Sequence, residues 1–224
     1  MTTNPSGTPT APAEPPGLRE AKKAETRQLI SDCATRLFIE QGFEQTTIAE
    51  IATAARVAKK TVTNYFPRKE DLALDHHEAF TESLARAVAR RAPGEGPLVA
   101  LRRFFRTALR EHSPVAGFTG REFAQMVADS PTLSARLREL HDLREAALAT
   151  ALAGATLDSA PAIAPRAAAA LVSAAERLMF RRLQELTLSG LDNDEIEAAM
   201  TPEADHVYGL LVAALGDYPA TDPE

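Results

Sequence analysis

Apolar positions along this chain recur at helical spacing almost throughout, and no stretch alternates as a half-buried strand would. Ile30, Cys33, Ala34, Leu37, Phe38 and Gln41 fall at helical spacing, and Gly42 follows as the C′ residue. Thr47 and Glu50 fit a capping box, in which the hydroxyl takes an orphan backbone N–H and the carboxylate reaches back to the cap. Ile48, Ile51, Ala52 and Ala55 then stand at i, i+3, i+4 and i+7, so a short helix runs from there to about Arg56. Val57, Val62 and Phe66 supply the inner face of a second short helix, which Pro67 stops by disfavouring α geometry at Phe66. Further helices are predicted over 75–91, 98–111, 118–129, 131–152, 165–189 and 192–215. Their breaks are Pro93 to Pro97, Pro114 with Gly117, Ser130 capping ahead of Pro131, Gly154, and Gly190. Thr201 and Pro202 require the last helix either to kink or to restart. The chain is predicted to be all-α.

Charge changes the picture at one place. The net charge is -6 over 224 residues, yet the stretch from Arg56 to Lys69 carries five cations (Arg56, Lys59, Lys60, Arg68, Lys69) and no acid. Arg56, Lys59 and Lys60 crowd a helix start, where the macrodipole is positive and cations are mildly unfavourable. Phosphate offsets that arrangement, and most protein–DNA hydrogen bonds go to the backbone. Beside it, Asn64 has the geometry to bond adenine bidentately, a lysine can bond guanine, and a threonine methyl can touch the thymine methyl. A solvated basic turn is the blander alternative, and it leaves the two amphipathic helices around the turn unexplained.

The segment Gly42 to Leu72 resembles the N-terminal domain of the TetR family of bacterial transcriptional repressors, with the pattern G(F/Y)xxTTxxxIAxxAxVxxxTxxxYFxxKExL. The residues that carry it are Gly42, Phe43, Thr46, Thr47, Ile51, Ala52, Ala55, Val57, Thr61, Tyr65, Phe66, Lys69, Glu70 and Leu72. With the preceding helix, the resemblance covers about residues 22–75. It implies a TetR-like fold, a three-helix DNA-binding head with a helix-turn-helix followed by a helical ligand-binding and dimerisation domain. On this pattern Thr47 and Lys69 grip phosphates and Tyr65 contacts the backbone, while Lys59, Lys60, Thr61, Thr63 and Asn64 face the groove. Arg56 and Lys60 stand where the family favours glycine, Ala58 where a serine often caps, and Thr63 where tyrosine is common. A different operator sequence follows from those departures.

The remaining expectations concern the rest of the chain. Residues 1–17 are Pro/Thr-rich and read as a disordered tail, with Arg19, Lys22 and Lys23 at its end; 18–75 form the DNA-binding domain, 76–216 the ligand-binding and dimerisation domain, and 217–224 a flexible tail. Leu171, Val172, Ala175, Leu178, Met179, Arg182, Leu183 and Leu186 form a near-heptad stripe. By resemblance, the last two helices, about 165–215, pair with their copies in a homodimer that reads a palindromic operator. Phe104, Phe105, Phe123, Met126, Leu137, Met179 and Phe180, with Phe118, Leu133, Leu140 and Leu148, are the candidate walls of an effector site, although most such residues are core. His141, Arg144, Arg121 and Glu176 are its candidate polar groups. A mostly apolar small molecule that releases a repressor is the expected effector, with an activator as the alternative.

Three other functions fit less well. A metal-responsive regulator would use His76, His77 and Glu78 with His112, His141 or His206, but adjacent histidines rarely share a helix face. A redox sensor would use Cys33, which sits on the inner stripe of the first helix, and an enzyme would need a phosphate loop, an HExxH pair or a nucleophile elbow, none of which is present. No cofactor motif occurs, and a single cysteine with no signal peptide or membrane-spanning run predicts a cytoplasmic protein.

Overall fold

The structure, a computed structural model, describes residues 16–155 and 161–216; the sequence's two tail assignments fall largely outside these residues. Among the described residues there are ten helices and no strand. They are α1 (Pro16–Gln41), α2 (Ile48–Ala54), α3 (Lys59–Tyr65), α4 (Glu70–Ala73), α5 (His77–Ala89), α6 (Pro97–Arg110), α7 (Arg121–Asp129), α8 (Pro131–Ala153), α9 (Ala164–Ser189) and α10 (Asn193–Leu215). We call α1–α4 the head and α5–α10 the body. No helix among the described residues is long and apolar enough to cross a membrane.

The helix ends follow the local chemistry. Gly42, at φ 88, closes α1 in the left-handed region that glycine tolerates, and Gly190, at φ 97, does the same for α9. Capping boxes start α2 at Thr47/Glu50 and α10 at Asp192/Glu195. Two expectations are corrected and one is narrowed. The 75–91 helix begins at His77 as α5, and a short helix that the sequence did not predict, α4, precedes it and ends where Leu74 leaves helical geometry at ψ 53. The 118–129 helix begins at Arg121, with Phe118 buried in the link before it. Of the two outcomes left open at Pro202, the restart does not occur, since α10 runs on through it; Thr201 donates its hydroxyl to the Glu197 carbonyl one turn back.

Two large apolar clusters result. Ile30, Phe38, Ile51, Val62, Phe66 and Leu72 fill the head, and Met126 and Leu133 of the body complete that cluster. The body packs α5 along α8 and α8 along α9, with α10 closing against α6 and α9 around Leu101, Phe105, Leu148, Val172, Leu183 and Tyr208. The α9 stripe therefore splits. Val172, Met179, Leu183 and Leu186 are buried within the subunit, while Leu171 and Leu178 stay about half exposed, at 48% and 52%. Arg182 is ion-paired to Glu203 of α10 and Glu185. A 26-residue helix with 3.6 residues per turn presents two apolar faces, which the sequence reading had merged into one.

Two polar ties fasten head to body: Arg136 of α8 pairs with buried Asp71 of α4 at 2.8 Å, and Ser130 donates to Glu44 at 2.7 Å. Ser31 of α1 donates to Asp75 of the α4–α5 link at 2.6 Å.

Candidate DNA-binding face and effector cavity

The turn between α2 and α3 is shaped from both sides. The Thr47 hydroxyl accepts from the Glu50 N–H at 3.2 Å, and the Glu50 carboxylate accepts from the Thr47 N–H at 2.7 Å, bonds that hold the Glu50 carboxyl below its ordinary pKa. Thr47 also donates its hydroxyl to Glu50, at 2.8 Å, so this side chain is engaged in capping. Arg56 takes φ 55, the left-handed conformation that glycine adopts at least cost, and its side chain projects outward. Ala58, the N-cap of α3, offers no side-chain cap.

Val62 is fully buried and anchors α3, which leaves Lys59, Lys60, Thr63 and Asn64 exposed and Thr61 and Tyr65 half-buried at its flanks. The far end of α3 is held by Arg27, whose guanidinium donates to the Tyr65 carbonyl at 2.9 Å and lies 4.2 Å over the Phe66 ring. Among the described residues Arg56, Lys59 and Lys60 make no ion pair. The other two cations of the cluster are engaged. Arg68 pairs with Glu139 of α8 at 2.9 Å. Lys69 donates to the Thr46 carbonyl at 2.9 Å and sits 4.3 Å over the Phe43 ring. Lys69 thus staples the head together, a role that its spacing in the sequence did not reveal.

Behind the head lies a cavity of about 910 Å³. Of the sequence-predicted effector residues, Phe123, Leu137 and Phe180 line it, together with Phe118, Leu140 and Arg121. Phe104 is half-buried against the body core, where Phe105 and Met179 are fully enclosed, and Met126 is part of the head cluster, so these four lie off this cavity. Phe80, and Ser31, Thr35 and Ile39 of α1, line it without having been anticipated. Phe80 lies on an element whose inward face is legible, but its neighbours across the cavity are set by long-range packing.

His141, Arg144 and Glu176 are buried one layer behind the wall. The His141 ring meets Phe80 and Phe180 edge-on, with centroids 5.0 and 5.3 Å apart. Arg144 stacks 4.5 Å over Phe80, donates to Ser83 at 2.9 Å and lies 3.4 Å from Glu176. The Tyr208 hydroxyl is 2.5 Å from the other Glu176 oxygen and 3.2 Å from the Leu101 carbonyl. Burial pushes the Glu176 carboxyl above its ordinary pKa against the opposing pull of Arg144. Burial, reinforced by the Arg144, Arg177 and Arg181 charges, pulls His141 down to about 4. This chain of groups connects α5, α8, α9 and α10 directly behind the aromatic wall.

The residues weighed for other functions are placed as follows. Cys33 is a buried free thiol. Among the described residues His76, His77 and Glu78 join no metal-type cluster; His112 instead meets Glu197 at 3.2 Å and Asp194 at 3.6 Å, bracing the end of α6 against the start of α10.

Comparison with known proteins agrees with this geometry. Residues 30–75 match the model of the bacterial regulatory proteins of the tetR family. The chain is 39% identical over 94 residues to the HTH-type transcriptional regulator TcmR of Streptomyces glaucescens, an alignment that spans 42% of each protein. Among solved structures, native NalD, the secondary repressor of the MexAB-OprM multidrug efflux pump in Pseudomonas aeruginosa, superposes with a TM-score of 0.55 at 20% identity, covering 85% of this chain and 96% of that one. The SmeT–triclosan complex gives 0.54 at 19% identity, covering 89% and 98%. These structures share the all-helical fold of head and body together. Residues 30–75, the segment that carries the exposed face of α3, are thus similar to the head of the tetR family of bacterial regulatory proteins, and the chain as a whole shares the all-helical fold of the solved structures.

Proposed function

We propose that this protein is a cytoplasmic, homodimeric repressor that occupies a palindromic operator and leaves it when a small, mostly apolar effector enters the cavity behind the head. It acts by binding, without catalysis or a cofactor. The observation that carries this reading is the outer face of α3, where Lys59, Lys60, Thr63 and Asn64 stand exposed on a helix fixed from behind by Val62. In this reading Arg56, Lys59 and Lys60 meet phosphates or guanine, Asn64 reads adenine, and Thr61, Thr63 and Tyr65 line the groove. Thr47 and Lys69 set the shape of the head and contribute at its margin. Repression is the role borne by NalD, and a complex with triclosan is known for SmeT; both fit a cavity lined by Phe123, Leu137 and Phe180.

Dimerisation is supported by the outer faces of α9 and α10. Leu171, Leu178, Leu210 and Val212 are large apolar side chains left exposed. Gly209 lies inside α10 with open space around its Cα, although an interior glycine weakens a helix by about 0.5–1 kcal/mol relative to alanine. A second copy approaching closely along α10 accounts for both features. One α3 reads only a few base pairs, so two heads about 34 to 36 Å apart are needed for a long site.

Leu178→Asp tests this reading, because a lone charge in an apolar interface costs several kcal/mol. Sedimentation is expected to give dimers for wild type and monomers for the variant. DNA titration should then show loss of specific binding, with weak, salt-sensitive association retained. A monomeric variant with full operator affinity would sink the paired-head mechanism, as would protection by wild type of a site with no inverted repeat.

A further inference from the structure

The cavity behind the head is not enclosed by the body alone. α1, the first helix of the DNA-binding head, supplies Ser31, Thr35, Arg36 and Ile39 to its lining. Facing them is an aromatic wall of Phe80, Phe118, Phe123 and Phe180 drawn from α5, the α6–α7 link, α7 and α9. Ile39 is 40% exposed, an apolar side chain lying outside the head core that the rest of α1 packs into. Thr119, also on the lining, has a buried hydroxyl with no hydrogen-bond partner. A buried hydroxyl left unpaired costs free energy that a ligand atom can recover. The carboxylates on the lining, Asp32, Glu40, Asp75 and Glu122, outnumber its guanidiniums, Arg36 and Arg121, so the site disfavours an anion. The volume of about 910 Å³ lies within the range of small-molecule sites, roughly 300 to 1,000 Å³.

Resting on the effector reading above, we propose that the effector is an aromatic molecule without negative charge and with a polar atom for Thr119, and that it is gripped jointly by the body's phenylalanines and by α1 of the head. A ligand with one face on each part binds best to one orientation of the head, and that difference in affinity is the whole of its allosteric leverage. No relay through α5 is then required. The cavity also borders the Ser31–Asp75 bond, which joins α1 to the α4–α5 link at the junction of head and body.

The neutral fluorescent probe N-phenyl-1-naphthylamine, titrated into the full-length protein, tests this. Wild type is expected to bind it saturably, one per subunit. Ile39→Asp on the head wall and Phe180→Ser on the body wall should each weaken binding by about tenfold or more, the effect of removing one large apolar contact. Thr35→Trp, which fills the cavity from the α1 side, should do the same without placing a charge there. Circular dichroism melts keep the result interpretable, since Ile39 and Thr35 are not core residues. If Phe180→Ser weakens binding while Ile39→Asp and Thr35→Trp stay within twofold of wild type, the shared grip is overturned and an effector site within the body survives. If wild type shows no saturable binding at micromolar probe, both readings fail together.

Discussion

Head and body treat their polar groups in opposite ways. On α3 the polar side chains of Lys59, Lys60 and Asn64 face outward and make no side-chain hydrogen bond or ion pair among the described residues, which leaves them available to the DNA of the proposed function. In the body, Arg144, Glu176 and Tyr208 are buried and satisfy one another. An unpartnered charge in water costs little and remains available to a ligand, whereas a buried one is tolerated only with its partners in place. The head should accordingly lose recognition but not stability when its polar residues are changed, and the body should do the reverse.

The strongest break in that contrast is Glu176→Ala. It leaves the Arg144 guanidinium buried without its counter-charge and is expected to cost about 3 to 5 kcal/mol of stability in a denaturant titration. A loss below about 1 kcal/mol would mean that Arg144 escapes to solvent.

His141 sharpens the contrast through pH. Its folded pKa of about 4 lies below the ordinary 6.5, so the unfolded chain binds the extra proton between those values. This contribution to stability is fully present above pH 6.5 and falls as pH drops towards 4. The difference amounts to roughly 3 kcal/mol on the scale of 1.36 kcal/mol per unit. Thermal melts of His141→Leu should flatten that slope, and an unchanged slope would assign it to other groups.

At the head, Asn64→Ala should leave stability unchanged and relax preference at one base pair by about 1 to 3 kcal/mol. Lys60→Ala should lower the salt slope of binding by about 0.9, one phosphate contact. Site selection returning the same motif for the Asn64 variant would remove that residue from base reading. The smallest effect is expected at Arg56, whose φ of 55 is strained for a side chain. Arg56→Gly should raise stability by up to about 1 kcal/mol while weakening association with any duplex, and a protein that became less stable would show that the arginine side chain packs in the turn.

The sequence revealed these two regions unequally. Capping boxes, the α3 face and the left-handed glycines are local features, decided within a few residues, and Thr47, Val62 and Gly42 stood where spacing put them. The cavity joins residues from Gln28 to Gln184, and no periodicity tells which apolar side chains will face an empty space. Phe105 and Phe123 look alike in sequence, yet one is core and the other lines the cavity. The intramolecular contacts of Lys69 were hidden for a related reason. Its partners are carbonyls at Thr46 and Glu44, backbone atoms that leave no mark in a side-chain pattern.

The presence of Met126 and Leu133 in the head's apolar cluster bears on how such regulators can be recombined. A cut at residue 75 would hand a foreign body an apolar surface shaped for these two side chains, and would sever Asp71 from Arg136 and Glu44 from Ser130. A chimera meant to transplant this operator preference onto another sensor must therefore carry the α7–α8 corner as well, or graft the outward residues of α3 alone and leave the seam intact.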